Sequence, residues 1–169
     1  MKNLLIVVDM QNDFITGALG TREAQAILPD VVELVRGWEG PVAFTRDTHT
    51  PDYMNTQEGK HLPVPHCIRD TDGWQLAEPL RPFAEHAPVF DKPSLGSPAL
   101  AAWCREQAPD TITLCGVCTG ICVLSNALLI KATLPETPVK VIARCCACVS
   151  PQSHQTALDA MQLCQVDLV

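Results

Sequence analysis

Short, unbroken apolar runs alternate along this chain with longer stretches in which apolar residues recur every three or four positions. The first run is Leu4-Leu5-Ile6-Val7-Val8; Val42-Ala43-Phe44-Thr45, Ala87-Pro88-Val89-Phe90, Thr111-Ile112-Thr113-Leu114-Cys115 and Val139-Lys140-Val141-Ile142-Ala143 follow. Runs of this length, with little polar alternation, read as strands buried on both faces of a sheet. The pattern predicts strands near residues 3–8, 41–46, 87–90, 111–115, 139–143 and 165–168. Between the first two, Ile27, Val31, Leu34, Val35 and Trp38 mark one face of a helix. Further helical stretches lie near 75–85, 97–107, 120–133 and 152–163. Ser150-Pro151 is a sound start for the last, a capping side chain followed by proline at the first helical position. Such alternation predicts an α/β fold of three αβα layers around a six-stranded, mostly parallel, doubly wound sheet. The stretch from Asp47 to about Trp74 shows neither period, as expected of a long functional loop. No repeat or low-complexity linker interrupts the pattern, so residues 1–169 are expected to form one domain.

Composition narrows the class. A hydrophobic content of 47% against 18% charged residues excludes general disorder. A formal charge of −7 with no basic stripe argues against a nucleic-acid partner. No apolar run approaches a membrane span, so no membrane partner is expected. The N-terminal run enters Asp9 and Asp13 without a small-residue cleavage site, which reads as a strand and not a signal peptide. Nine cysteines, an odd number, then suggest free thiols in a reducing cytoplasm. The sequence leaves homo-oligomer formation open.

Candidate chemistry sits at the ends of the predicted strands, the edge at which open parallel sheets bind ligands. Cys122 follows the fourth run within Gly116-Val117-Cys118-Thr119-Gly120-Ile121-Cys122. Ile121, Leu124 and Leu128 then recur at helical spacing, which places Cys122 in the first turn of a helix. Free backbone N–H groups and the helix dipole there favour a thiolate, with Thr119 able to cap the turn. Asp9 ends the first strand and Lys92 follows the third, so an acid/base and a cation join the thiol. No glycine fingerprint for a dinucleotide follows the first strand. Asp47 and His49, two apart, can point the same way from the end of the second strand, with Glu58 and His66 further along the loop. Two imidazoles and two carboxylates suit zinc, iron or manganese, although spacing alone fits a water-facing loop equally well. Cys145-Cys146-x-Cys148, after the fifth strand, suits small apolar packing better than a disulfide. His61, His86 and His154 match no motif and are expected at the surface or on helix flanks.

The set Asp9-Met10-Gln11-Asn12-Asp13-Phe14, Lys92 with Gly96-Ser97, and Gly116-Val117-Cys118-Thr119-x-x-Cys122 resembles the isochorismatase-like cysteine hydrolases over essentially the whole chain. Asp47-Thr48-His49 with Glu58 and His66 is similar to the metal-binding loop of the metal-dependent nicotinamidases. The resemblance implies hydrolysis of the carboxamide of nicotinamide, a pyridine ring compound, to nicotinate and ammonia through a thioester on Cys122. Asp9 moves the proton, Lys92 stabilises charge, and the backbone N–H groups of Cys118 and Cys122 form an oxyanion hole. It further implies a cis peptide before Cys118. One divalent transition ion, held by Asp47, His49, Glu58 and His66, would fix the ring. Phe14, Leu19 and Leu95 are the candidate substrate walls. Leu95 and Leu62 or Pro63 stand where relatives often carry aromatic residues, and Gly120 where an acidic residue is common. Two alternatives share the fold: a cysteine hydrolase acting on a ureido or carbamoyl amide, and a non-catalytic binding protein. A metal-free isochorismate hydrolase is disfavoured by Cys122 and the metal loop.

Overall fold

A computed structural model describes residues 1–169. Its six strands are β1 (Asn3–Val8), β2 (Val42–Asp47), β3 (Val89–Lys92), β4 (Thr111–Val117), β5 (Val139–Ala147) and β6 (Asp167–Leu168). They form one sheet in the order β3-β2-β1-β4-β5-β6, with every pairing parallel. Consecutive β1 residues point to opposite faces of the sheet, and Leu4 to Val8 are all inaccessible to solvent. Both faces are therefore covered, as the uninterrupted apolar run requires. The covering helices are α1 (Asn12–Ile15), α2 (Arg22–Arg36), α3 (Gln57–His61), α4 (Arg81–Ala84), α5 (Pro98–Gln107), α6 (Leu124–Thr133) and α7 (Pro151–Leu163). None is long and apolar enough to cross a membrane.

Caps fix several of these ends. Thr21 accepts from the Ala24 N–H at the start of α2, and Ser97 from the Leu100 N–H at the start of α5. Ser150 and Ser153 form a reciprocal capping box on α7 behind Pro151. The strand order reverses direction between β1 and β4, which leaves a crevice at the carboxyl ends of these strands.

Several boundaries differ from the sequence expectation. The third strand is Val89–Lys92, displaced from 87–90. Pro88 has no N–H for the ladder, and pairing from Phe44–Val89 to Asp47–Lys92 carries the strand onto polar residues. The fifth strand runs on to Ala147, past a register shift between Leu114 and Gly116, so Cys145 and Cys146 lie inside the sheet. Residues 75–85 hold only a 3-10 turn, Glu78–Leu80, and the single turn of α4, because Pro79 and Pro82 cannot continue a helical ladder. The long loop is not featureless: a 3-10 turn, Tyr53–Asn55, leads into α3, which Thr56 caps through the Gly59 N–H.

Gly116 lies at φ +117°, and a Cβ there would sit 2.1 Å from the Val8 carbonyl oxygen. Only glycine lets β4 approach β1 this closely. The following Val117–Cys118 peptide is cis.

Candidate active site

The carboxyl ends of β1, β2 and β3 and the turn after β4 converge on one buried cluster. Asp9 ends β1 with φ +49°, a left-handed conformation uncommon for residues other than glycine and characteristic of functional turns. Its carboxylate is held by two neighbours. The Thr45 hydroxyl donates to Oδ1 at 2.6 Å, and the Lys92 ammonium lies 2.7 Å from Oδ2. Lys92 Nζ also reaches the Ser94 carbonyl at 3.0 Å, Cys122 Sγ at 3.4 Å and Asp47 Oδ1 at 3.4 Å. Asp9, Lys92 and Cys122 are all buried. An unpaired ammonium at such depth would be costly, so the ring of acceptors is what holds Lys92 there.

The electrostatics follow from burial and pairing. Burial raises Asp9 above its usual carboxylate value, and Lys92 opposes the shift. For Lys92, burial alone would lower the value, but Asp9, Cys122 and Asp47 together outweigh it and the ammonium is retained. The Cys122 thiol is raised well above its ordinary value, by burial first and by the Asp9 charge second, while Lys92 pulls it down. The resting thiolate expected from the helix start is therefore not what this surrounding favours. The site instead favours a neutral thiol beside the Asp9 carboxyl and the Lys92 ammonium. The helical geometry differs as well. Thr119–Val123 form a π-turn before α6, and the Thr119 side chain does not cap it. Its hydroxyl pairs with His154 Nδ1 at 2.7 Å, so His154 is half-buried and bonded to the turn that carries Cys122, unlike the exposed His61 and His86.

Beside this cluster the loop brings together all four expected metal residues. Asp47 Oδ2 lies 2.9 Å from His49 Nε2 and 3.3 Å from His66 Nε2, and Glu58 Oε1 lies 3.7 and 3.8 Å from the same nitrogens. Their ligand atoms all fall within 4.8 Å of one another. Ligand atoms about 2.0–2.2 Å from a shared ion stand about 3 to 4.4 Å apart according to the coordination geometry, and the four imidazole–carboxylate distances lie close to that range. His66 Nδ1 donates to the Val64 carbonyl at 2.8 Å, which leaves Nε2 to face Asp47 at 3.3 Å. Between that nitrogen and the buried carboxylate a cation, either a proton or a metal ion, is favoured. With two imidazoles, that donor set fits a divalent transition ion.

Several residues to which the sequence assigned no role of their own hold this arrangement. Gln11 is fully buried; its amide donates to the Asp47 and Trp74 carbonyls and accepts from the Asp47 N–H at 2.7 Å. Asp13 accepts from the Cys67 N–H at 2.7 Å, which fixes the chain just after His66. Asn126, also fully buried, donates to the Cys122 carbonyl at 2.8 Å and the Leu95 carbonyl at 3.2 Å, and accepts from the Ser97 N–H at 3.0 Å. The only sequence signal for Asn126 is a lone amide in an apolar helical stretch, four residues after the cysteine.

Between the thiol and the loop lies a cavity of about 420 Å³. Phe14, Leu19 and Leu95 line it as expected, with Leu62, Ile121 and Val149. Cys118 and Cys122 border it on one side, and Asp47, Glu58 and His66 on the other. Burial pushes the Cys118 thiol up to about 12, with nearby Cys148 and Asp9 adding to the effect, so its side chain is an inert neighbour. Seven of the nine cysteines are buried and none is paired, consistent with apolar packing for Cys145, Cys146 and Cys148.

A thiol, a carboxylate and an ammonium thus meet at the switch point of a parallel αβα sheet. Residues 3–169 match the isochorismatase domain model, and the chain belongs to that family. It is 29% identical to the nicotinamidase/pyrazinamidase of Mycobacterium tuberculosis, across 98% of this chain and 97% of that one. Its structure is similar to a nicotinamidase/pyrazinamidase from Bacillus subtilis, with a TM-score of 0.87 and 27% identity over the full length of both chains. It also resembles a pyrazinamidase of Pyrococcus horikoshii in complex with zinc, with a TM-score of 0.82 and 27% identity over 100% of this chain and 99% of the other.

Proposed function

We propose that this protein, a hydrolase acting on amides, converts nicotinamide to nicotinate and ammonia, with residues 1–169 working as one domain. The observation that carries the reading is the cavity itself. It is walled by apolar side chains, with the Cys122 thiol on one side and the Asp47–Glu58–His66 edge of the metal cluster on the other. A flat ring with a carboxamide on one edge and a ring nitrogen on the next-but-one atom suits that spacing of partners. A divalent ion held by Asp47, His49, Glu58 and His66 would supply a Lewis-acidic point for the ring nitrogen.

The acyl chemistry belongs to the protein. Asp9 accepts the Cys122 proton as Sγ attacks the carboxamide carbon, so the charged thiolate never has to persist in the buried site. Lys92, in contact with both groups, keeps the negative charge favourable wherever it resides along the transfer. The backbone N–H groups of Cys118 and Cys122 receive the developing oxyanion, where one aimed donor contributes about 3–4 kcal/mol. Asp9 returns the proton to the nitrogen, the C–N bond breaks, and ammonia leaves with a thioester on Sγ. Asp9 then takes a proton from water, whose oxygen adds to the thioester carbon. The C–S bond breaks, nicotinate is released, and the proton returns to Sγ.

Ammonia release from nicotinamide by purified protein, with and without a chelator, tests the reading. Release that the chelator suppresses and zinc, iron or manganese restores is the expected result. Silence on nicotinamide together with turnover of a ureido or carbamoyl amide would replace it.

A further inference from the structure

The mouth of the cavity is more apolar than a bare pyridine ring requires. The fold leaves eight large hydrophobic side chains exposed, and two of these are the terminal residues Met1 and Val169. Four of the others, Leu62, Leu95, Ile121 and Val149, stand together on the wall of this one cavity. Val149 is 61% exposed. Exposed apolar side chains scattered singly carry no message, but a cluster at the mouth of a reacting site marks a surface that something covers.

Size points the same way. Nicotinamide has nine non-hydrogen atoms, and even at the liquid-water allowance of about 30 Å³ each it leaves roughly a third of the cavity unfilled. A second hollow shares Ile121 and Val149 and continues past Leu124 to Ala160, so the apolar track runs on beyond the mouth.

We propose that Leu62, Leu95, Ile121 and Val149 form a subsite for an apolar substituent on the substrate ring. The substrate class then extends to alkyl- or aryl-substituted heteroaromatic carboxamides. The inference rests on the proposed carboxamide reading and specifies the ring edge. With the ring nitrogen toward the metal cluster and the carboxamide toward Cys122, the carbon between those two positions faces inward. The carbon opposite it, C5 of a nicotinamide, faces the mouth. The four side chains come from the α3 end, the loop after Lys92, the nucleophile turn and the end of β5, so they close around that direction from separate segments. The occupant is the substrate because these side chains share the cavity with the reacting thiol and place no charge at the mouth.

Steady-state rates on nicotinamide and 5-propylnicotinamide, for the wild type and for Val149→Asp, decide the matter. Each buried methylene contributes about fourfold in affinity, and partial cover of three carbons predicts about a tenfold higher kcat/KM for the propyl compound. The gain should appear chiefly in KM, as expected of binding shared by ground and transition states. Val149→Asp lies on the surface, where folding tolerates it, and should bring the ratio of the two kcat/KM values down to about one. A wild-type ratio of one or less overturns the subsite while leaving nicotinamide hydrolysis standing. An unchanged ratio in Val149→Asp also overturns it. So does a dimer in solution that covers Val149 in an enzyme with no propyl preference, because the mouth then belongs to a second copy. No ammonia from either compound removes the carboxamide reading, and the subsite with it.

Discussion

Asn126 offers a sharp test of how the nucleophile turn is held, because two substitutions of nearly equal size should respond differently to pH. Its amide ties the Cys122 carbonyl to the Leu95 carbonyl and the Ser97 N–H, so α6 and the loop after Lys92 are joined through one fully buried side chain. Asn126→Leu leaves the Ser97 N–H buried without an acceptor and removes a donor from two carbonyls, a loss of about 2–5 kcal/mol. That loss should be the same at every pH. Asn126→Asp keeps an acceptor for Ser97 but turns the donor side into an oxygen facing two carbonyls. Only the protonated acid can donate there, so burial and those carbonyls raise the folded-state value above the unfolded value of about 3.9. The stability of this variant is therefore fully present below about pH 4. It is lost as pH rises toward the folded value, at about 1.4 kcal/mol per unit. Full burial raises a carboxyl by up to about 3–5 units, so the fall extends through pH 5 to 7 and amounts to at most about 2.7 kcal/mol there. Urea unfolding of both variants and the wild type at pH 5, 6 and 7 measures it. If the Asn126→Asp curve runs parallel to the wild type across that range, the amide is not the clamp described.

Four further outcomes follow from the same geometry. Cys122→Ala should release no ammonia from nicotinamide while keeping its fold, whereas Cys115→Ala, inside β4, should keep most of the rate; near-normal turnover by the first variant refutes the nucleophile. Lys92→Met removes the charge that lowers the Cys122 thiol, so iodoacetamide alkylation of Cys122 should shift to higher pH and turnover should fall by about 100-fold or more. An unchanged alkylation profile would contradict the 3.4 Å contact. His49→Ala should lower the metal content from about one ion per chain toward none by elemental analysis, and abolish any rise in Tm on adding zinc; retained metal would move the site elsewhere. Gly116→Ala puts a Cβ 2.1 Å from the Val8 carbonyl oxygen at φ +117°, and should cost about 3 kcal/mol or more in thermal or urea unfolding; a variant as stable as the wild type would contradict the close β1–β4 approach.

The parts of this molecule legible in the sequence are those written as local pattern. Apolar runs marked the buried strands because both faces of the sheet are covered, and strand ends marked Asp9, Lys92 and Cys122. Asp47, His49, Glu58 and His66 were legible as types, and family resemblance supplied the grouping that the loop brings about. What escaped was set by tertiary pairing. Register with β2 carried β3 onto Asp91 and Lys92, and β4 drew β5 out to Ala147. The π-turn at Thr119–Val123 has the same apolar period as an α-helix start, so nothing local distinguished the two. Nor did sequence reveal that burial would keep the Cys122 thiol neutral, since helix-start arguments count the dipole but not the depth. Gln11, Thr45 and Asn126 were silent because their partners lie on other segments.

Asp47 is shared between two constellations. One carboxylate oxygen faces His49 and His66, and the other stands 3.4 Å from the ammonium that contacts Asp9 and Cys122. The part of the site that would fix the ring and the part that would cut the amide are thus not separate modules. A lineage that altered ring preference by replacing Asp47 would disturb the ammonium in the same step. Exchange of a mouth residue such as Val149 does not touch that ammonium. A change of specificity on this scaffold would thus disturb the ammonium less at the rim than at the shared carboxylate.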